Sequence, residues 1–583
     1  MTFLMNEPEH FATDAVRGYA AAHPEYVTLA HGGVVRSTET PQGQPALVIG
    51  GGSGHYPAFA GWIGPGMGHG APCGNIFSSP SASQVYSVSR SVENGGGVIL
   101  GFGNYAGDVL HFGQAAEKLR AEGVDVRIIR VSDDIASGPE EDHRDRRGIA
   151  GDLVVFKIAG AAIEAGADID GAERVAWKAN DATRSFGVAF EGCTLPGADE
   201  ALFHVPEGQM AIGLGIHGEP GIREVPLGTG NEIADLLLDG VLEEEPDRVD
   251  GGYQGRIGVV LNGLGSVKHE ELFLAYGHLA DRFAEKGLTV VAPEVGEHVT
   301  SLDMAGLSLT VIFLDDELEQ FWLAPADTPA FRRGAPDSSD RTERTWVHTP
   351  GEETIPESSP ESRETAQQIV AALESLRATA AEQQDYFGRL DAVAGDGDHG
   401  QGMAYGTRGA AEAGRAAAEK GAGSRTVLLH AGDAWAEEAG GTSGALWGAA
   451  LTAAGGVFDD ARAVTAADVV QALLTGSDAI RRLGGAEQGD KTMVDAIIPF
   501  QETLEAEFEA TSDLAGSTRK AAAAARKAAD ATADITARLG RSRVLGKKSV
   551  GTPDPGAISF SVLMDVLGDL FASTASHTSE NQP

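Results

Sequence analysis

ALVIGGGSGHYP (46–57) runs from an apolar segment that reads as a buried strand straight into a glycine loop ending in a histidine. The same pattern recurs outward from it. GVILGF (97–102), VRIIRV (126–131), IGVVLNG (257–263), LTVVAP (288–293) and LSLTVIFL (307–314) read as buried strands, each near glycines or a helical segment such as 149–166. Residues 1–330 are therefore expected to form an α/β domain whose chemistry lies in loops at strand C-termini.

The character of the chain then changes twice. Residues 331–362 are rich in Pro, Ser, Thr and charge, and read as a flexible linker. In 363–575 the strands disappear, and Ala-rich amphipathic stretches recur near 363–385, 402–419, 424–439, 443–456, 465–483, 490–508, 513–538 and 557–572. This second domain is expected to be all-α, with eight helices and any polar site at the loops between them.

With 44 basic and 85 acidic side chains in 583 residues, the formal charge of −41 excludes nonspecific binding to nucleic acid or anionic lipid. It would also repel a polyphosphate unless cations stood between, which points to bound divalent metal. Cys73 and Cys193 stand far apart and outside any CxxC pattern, so neither a disulfide framework nor a zinc site is expected. The N-terminus lacks a basic region followed by an apolar run, and no eighteen consecutive residues are apolar; a cytoplasmic location without a membrane segment is the expectation.

Two constellations carry chemistry. In the first, GGGSGHYP (50–57) lets backbone approach a ligand and places His55 at a strand end. It lacks a P-loop Lys and a usable GxGxxG register, which disfavours Walker-type or dinucleotide binding. GNYAGDVLHFG (103–113) sets Asp108 near a helix start, where an N-cap is the plain structural reading. QMAIGLGIHGEPG (209–221) holds His217 between glycines, where no helical face accounts for it. Two histidines and a carboxylate past strand ends could converge on a small polar ligand, and without metal-ligand spacing they favour proton transfer or nucleophilic work.

In the second, LDAVAGDGDHGQGM (390–403) crowds Asp391, Asp396 and Asp398 between glycines. Carboxylates that close repel by up to about 4 kcal/mol per pair at an effective dielectric near 20, and oxygen-only ligation of magnesium relieves this. An EF-hand is excluded because its Glu at position twelve is missing. GGTSGALWG (440–448) offers amides and two hydroxyls at a helix start, suited to phosphate, and GDKTMVDA (489–496) and GRSRVLGKKSVGTPDPGA (540–557) add polar loops.

These motifs, in this order, resemble the dihydroxyacetone kinase family: GGGSGH, NYxGD and GIHGEPG of its substrate domain, then GDGDHG, GGxSG, GDKTM and GxxDPG of its nucleotide domain. The resemblance covers nearly the whole chain outside the linker, and the fused form is similar to the ATP-dependent members. It implies an α/β ketose-binding domain followed by an eight-helix barrel. It further implies that His217 forms a hemiaminal with the substrate carbonyl and that His55 accepts the proton of the attacking hydroxyl. Asp108 would hydrogen-bond that hydroxyl, while Gly52, Ser53 and Gly54 line the sugar site. Asp391, Asp396 and Asp398 would hold two Mg²⁺ ions on ATP. His399, Gly400, Gln401, Gly402, Thr442, Ser443, Gly484, Met493, Arg541, Asp554, Pro555 and Gly556 match the family's nucleotide contacts. Family architecture also implies a homodimer in which one subunit's nucleotide domain serves the other's substrate domain.

The departures point to the substrate. Dihydroxyacetone-specific relatives commonly carry a Lys before NYxGD and Glu-Pro-Ala-His after GGGSGH, where this chain has Gly103, and Tyr56 with Phe59. A lost charge and long side chain imply a ketose larger than three carbons, so a tetrulose such as erythrulose, D or L, is expected, with dihydroxyacetone as the alternative. Cyclisation of FAD, which belongs to animal relatives, and a non-catalytic regulatory role are the further alternatives.

Overall fold

The computed structural model describes residues 4–219, 221–334, 355–393, 395, 397–538 and 548–580. The chain divides into two compact units, Met1–Thr342 and Glu343–Pro583.

The first unit is built on two seven-stranded sheets. One runs in the order Val27–Ala30, Gly33–Arg36, Gly70–Ile76, Ala46–Ile49, Val98–Gly103, Val126–Val131, with Gly51–Ser53 pairing with Gly70–Ile76. The other runs Arg223–Pro226, Gln209–Ile212, Thr183–Glu191, Ala305–Leu314, Arg256–Gly263, Thr289–Val290, with Glu294–Gly296 also on Arg256–Gly263. Between them lies the helix Gly151–Glu164, LVVFKIAGAAI at its heart, buried from Gly151 to Ile163. A helix apolar on every face needs cover on every face. One core accordingly joins Phe156 and Ile158 to Leu47, Ile49 and Ile129 of the first sheet and to Val260 and Ile312 of the second. The opposite sheet faces are covered by the helices Ala82–Val92 and Ala106–Ala121, and by Gly230–Leu242 and His269–Glu285.

Three expectations need correction. LTVVAP contributes only Thr289–Val290, because Ala292 takes a positive φ and Pro293 has no N–H for the ladder; pairing resumes at Glu294–Gly296. The linker reading began too early, since Arg332–Arg333 pairs antiparallel with Ala326–Asp327 and Phe331 is buried in the core. The linker also ends before 362, because Ser359 caps a helix that starts at Pro360. The rest of that segment, 335–354, lies outside the described residues. Asp108 is not an N-cap: Tyr105 holds that position for Ala106–Ala121, and Asp108 sits inside the first turn, buried.

In the second unit the described residues form eight α-helices: Pro360–Asp391, His399–Glu419, Ser424–Ala439, Gly441–Gly455, Ala466–Gly484, Val494–Thr511, Leu514–Ala531 and Pro555–Glu580. Each packs on the next and the last returns to the first. Alanine and glycine let the helices approach closely; a Cβ on Gly406 would come within 2.4 Å of the Trp435 ring. Trp435 and Trp447 stack at 5.2 Å, and Phe387, Phe500 and Phe560 complete the core. The final helix is long and apolar enough to cross a membrane by length and composition, but Ala557, Ile558, Phe560 and Leu563 are buried in that core.

Candidate active site

In the first unit the glycine loop lies where backbone crowds backbone. A Cβ on Gly52 would meet the Ser78 amide nitrogen at 2.8 Å, and Gly54 takes a φ of +101°, so neither position accepts a side chain without strain. Ser53 anchors the loop by donating to the Gly74 carbonyl at 2.7 Å. His55 follows, 2% exposed, its ring stacked on Phe77 at 5.0 Å. Its Nδ1 lies 2.8 Å from the Thr300 carbonyl, which can only accept, so Nδ1 carries the proton and Nε2 presents a lone pair. Burial, and then the charge of neighbouring His217, lower its pKa to about 3, which keeps the ring neutral.

His217 reaches the same point from the turn between Gln209–Ile212 and Arg223–Pro226. Glu219 holds it by two bonds: its carboxylate accepts from the His217 amide at 2.9 Å and from Nδ1 at 3.0 Å. Burial would raise Glu219, but the hydrogen bond and charge of His217 outweigh it and hold the carboxyl down at about 2. Tyr105 packs edge-on against the His217 ring at 4.7 Å. The two Nε2 atoms face each other across 3.0 Å, a hydrogen-bond distance that takes one proton between them; with His55 Nε2 as the acceptor, His217 is the donor and must give up that proton before its own lone pair is available.

Asp108 completes the group. Burial pushes its carboxyl up to about 6, against the lowering effect of Ser79 and His217, and Oδ1 has no hydrogen-bond partner. A buried carboxylate oxygen with an open acceptor position suits a ligand hydroxyl. Of the positions singled out for substrate size, Phe59 turns into the core beside Trp62 and Phe156, while Tyr56 is half exposed. A Cβ at Gly103 would lie 3.2 Å from the Tyr105 ring, so that ring stands where a side chain at 103 would begin.

In the second unit Asp391 ends the helix Pro360–Asp391, and its carboxylate accepts from the Gly397 amide at 2.9 Å. Asp398 immediately precedes His399–Glu419, and His399, largely buried, bonds Ser559 Oγ at 2.9 Å. Gly400 is fixed by packing, because a Cβ there would sit 2.0 Å from the Gln384 carbonyl; Gln401 and Gly402 follow on the same turn. Asp391, Asp554 and Pro555 line one small cavity together with Lys491. Asp554 starts the last helix by accepting from the Ala557 amide at 2.8 Å, and burial pushes its carboxyl up to about 7. Gly556 lies beside Met493. Thr442 and Ser443 open Gly441–Gly455 after two glycines with positive φ, and Gly484 lies near Leu446 of that helix. Asp396 and Arg541 lie outside the described residues.

Among the described residues no group of three metal-ligating side chains is gathered. The donors that are placed nevertheless suit a hard cation. Asp391 and Asp398 offer oxygen only, and Asp391 shares its cavity with a carboxyl so deprived of solvent that it holds its proton near neutrality.

Three contributors were missed in the sequence. Glu219 lies inside the quoted GIHGEPG, two residues from His217, and that spacing was the available signal. Lys491, which donates to the carbonyls of Ile535, Ser549 and Thr552, lies within GDKTM. Thr300 is 245 residues from His55 and carries no local signature.

Comparison with known proteins agrees along the whole chain. Residues 17–330 match the Dak1 domain and 393–569 the DAK2 domain. L-erythrulose 1-kinase of Mycolicibacterium smegmatis is 68% identical over 98% of this chain and 99% of its own. D-erythrulose kinase of the same organism is 48% identical over 98% of each. The crystal structure of dihydroxyacetone kinase from C. freundii in complex with AMP-PNP and Mg²⁺ superposes with a TM-score of 0.60 at 30% identity, covering 97% of this chain and 99% of that one. With both domains in order on one polypeptide, the chain belongs to the dihydroxyacetone kinase family, in its fused form.

Proposed function

We propose that the protein is an ATP-dependent erythrulose kinase that prefers the L enantiomer and phosphorylates its 1-hydroxyl. The observation that carries the ketose reading is the apposition of two imidazole Nε2 atoms at 3.0 Å, one ring held by Glu219 and the other neutral, beside the open oxygen of Asp108. The tetrulose and its enantiomer rest on the 68% identity to L-erythrulose 1-kinase, against 48% to the D-erythrulose enzyme. Gly103 agrees by placing no charge at that position.

His217 Nε2, in its unprotonated form, adds to the ketose carbonyl carbon: the N–C bond forms as the C=O π bond breaks, and the oxygen takes a proton from solvent. Glu219, ionised throughout the working range, keeps Nδ1–H in place and balances the positive charge that the ring acquires. An aldehyde or ketone can make this bond and a polyol such as glycerol cannot, so capture selects before any phosphate moves. The terminal hydroxyl then loses its proton as it attacks the γ-phosphate. A base works best with a pKa near the operating pH, which favours Asp108, at about 6, over His55, at about 3. His55 then accepts a hydrogen bond and orients the substrate. This exchanges the two roles that the resemblance implied.

In the helical unit, read as a closed eight-helix barrel, Asp391, Asp396 and Asp398 would hold two Mg²⁺ ions, which neutralise the triphosphate when bound. Thr442 and Ser443 offer hydroxyls and amides at a helix start, and His399, Met493 and Asp554–Gly556 would border the nucleotide. The decisive assay compares L-erythrulose, D-erythrulose, dihydroxyacetone and glycerol with ATP and Mg²⁺, with product NMR to locate the phosphate. L-erythrulose should give the highest kcat/KM and carry phosphate on C1; a higher value for dihydroxyacetone would overturn the tetrulose reading.

A further inference from the structure

His55 and His217 approach their common point from different sheets: His55 from the loop after Gly51–Ser53, His217 from the turn after Gln209–Ile212. Their separation must therefore be set by something that grips both loops, and one segment, His298–Leu302, does so. Toward the His55 loop, the Thr300 carbonyl takes the Nδ1 proton at 2.8 Å, the Thr300 hydroxyl donates to the Tyr56 carbonyl at 2.9 Å, and the Leu302 amide donates to the Gly54 carbonyl at 2.9 Å. Toward the His217 turn, Ser301, fully buried, donates its hydroxyl to the carbonyl of Ile216, the residue before His217.

The segment is pinned in turn by Asn262, 1% exposed near the end of Arg256–Gly263. Its Oδ1 accepts the amides of His298 and Val299, each at 2.9 Å, and its Nδ2 donates to the Val299 carbonyl at 2.8 Å and to Ser308 Oγ at 3.3 Å. A side chain that accepts twice and donates to a carbonyl beside those amides must be a carboxamide, which gives this position a chemical identity that packing alone does not demand.

We propose that Asn262 and Ser301 are positioning residues for ketose capture, acting through His298–Leu302 to hold His217 Nε2 in register with His55. The inference rests on the ketose-kinase reading above. Displacing reacting groups by about 1 Å costs about 100-fold in rate. Ser301→Ala frees the Ile216 carbonyl and loosens only the His217 side, whereas Asn262→Ala frees the His298–Val299 end, from which the segment enters both loops.

The test measures both variants in the full chain, with L-erythrulose and ATP varied separately and ketose binding followed by calorimetry without nucleotide. Ser301→Ala should raise the ketose KM and weaken ketose binding about 10-fold, and Asn262→Ala should lower kcat/KM for ketose about 100-fold. The ATP KM should stay within about two-fold in both. A purely structural role predicts the opposite split, because losing folded molecules lowers kcat at unchanged KM; that result overturns the proposal. Should Asn262→Ala fail to fold, Ser301→Ala still decides, since it removes a single oxygen. A wild-type protein that phosphorylates no ketose would instead overturn the functional reading, whatever the variants do.

Discussion

Replacing Glu219 with Gln removes one charge and leaves the shape of the site intact. In the native site the carboxylate receives both the Nδ1 proton and the amide proton of His217. Its pKa falls from 4.5 to about 2, a difference worth about 3 kcal/mol of preference for the ionised form. The glutamine keeps one acceptor oxygen for Nδ1 but turns an NH₂ group toward the His217 amide, so about half of that coupling is lost, and the positive adduct loses its counter-charge. A loss of about 1.5–3 kcal/mol corresponds to a fall of about 10- to 100-fold in kcat/KM for ketose. ADP release with L-erythrulose as the varied substrate measures it, and nucleotide affinity, measured without ketose, should not change. A change under about two-fold, or an equal loss of nucleotide binding, would refute the reasoning.

Asp108 as base sets the acid limb of the pH profile: kcat/KM for ketose should fall as pH drops below about 6, because the carboxyl must be ionised to accept a proton. Asp108→Asn should abolish that limb and most of the activity at pH 7.5 while ketose binding persists; an acid limb that survives the substitution assigns the base elsewhere. If the protein is a homodimer that shares its sites between subunits, mixing inactive His217→Ala with inactive Asp398→Asn chains should restore part of the wild-type rate. No recovery in a mixture shown to contain heterodimers would exclude the shared arrangement.

Much of this architecture was legible because the signals are local. VRIIRV (126–131) is a strand along its full length, and the apolar stretch around 149–166 became the helix enclosed by two sheets. The eight Ala-rich stretches all became helices. His217 stood out because it lies between glycines, and His55 because it ends a glycine loop that follows a strand. What stayed hidden depends on neighbours brought by folding. Nothing near Asn262 or Thr300 announces that a distant loop will need them, and Phe59, quoted for the sugar site, instead finds Trp62 and Phe156 in the core. LTVVAP failed locally for a different reason: its composition favours a strand, but Ala292 and Pro293 break the ladder.

Covalent capture by His217 is the claim on which substrate choice, the role of Glu219 and the positioning segment all depend. Carbon-13 NMR of the intact enzyme with L-erythrulose labelled at C2, in the absence of ATP, reads it directly. The account predicts that the ketone resonance is replaced on binding by that of a tetrahedral carbon, and that His217→Ala removes the new signal. A saturated wild-type enzyme whose bound ligand still shows only the ketone resonance would contradict it.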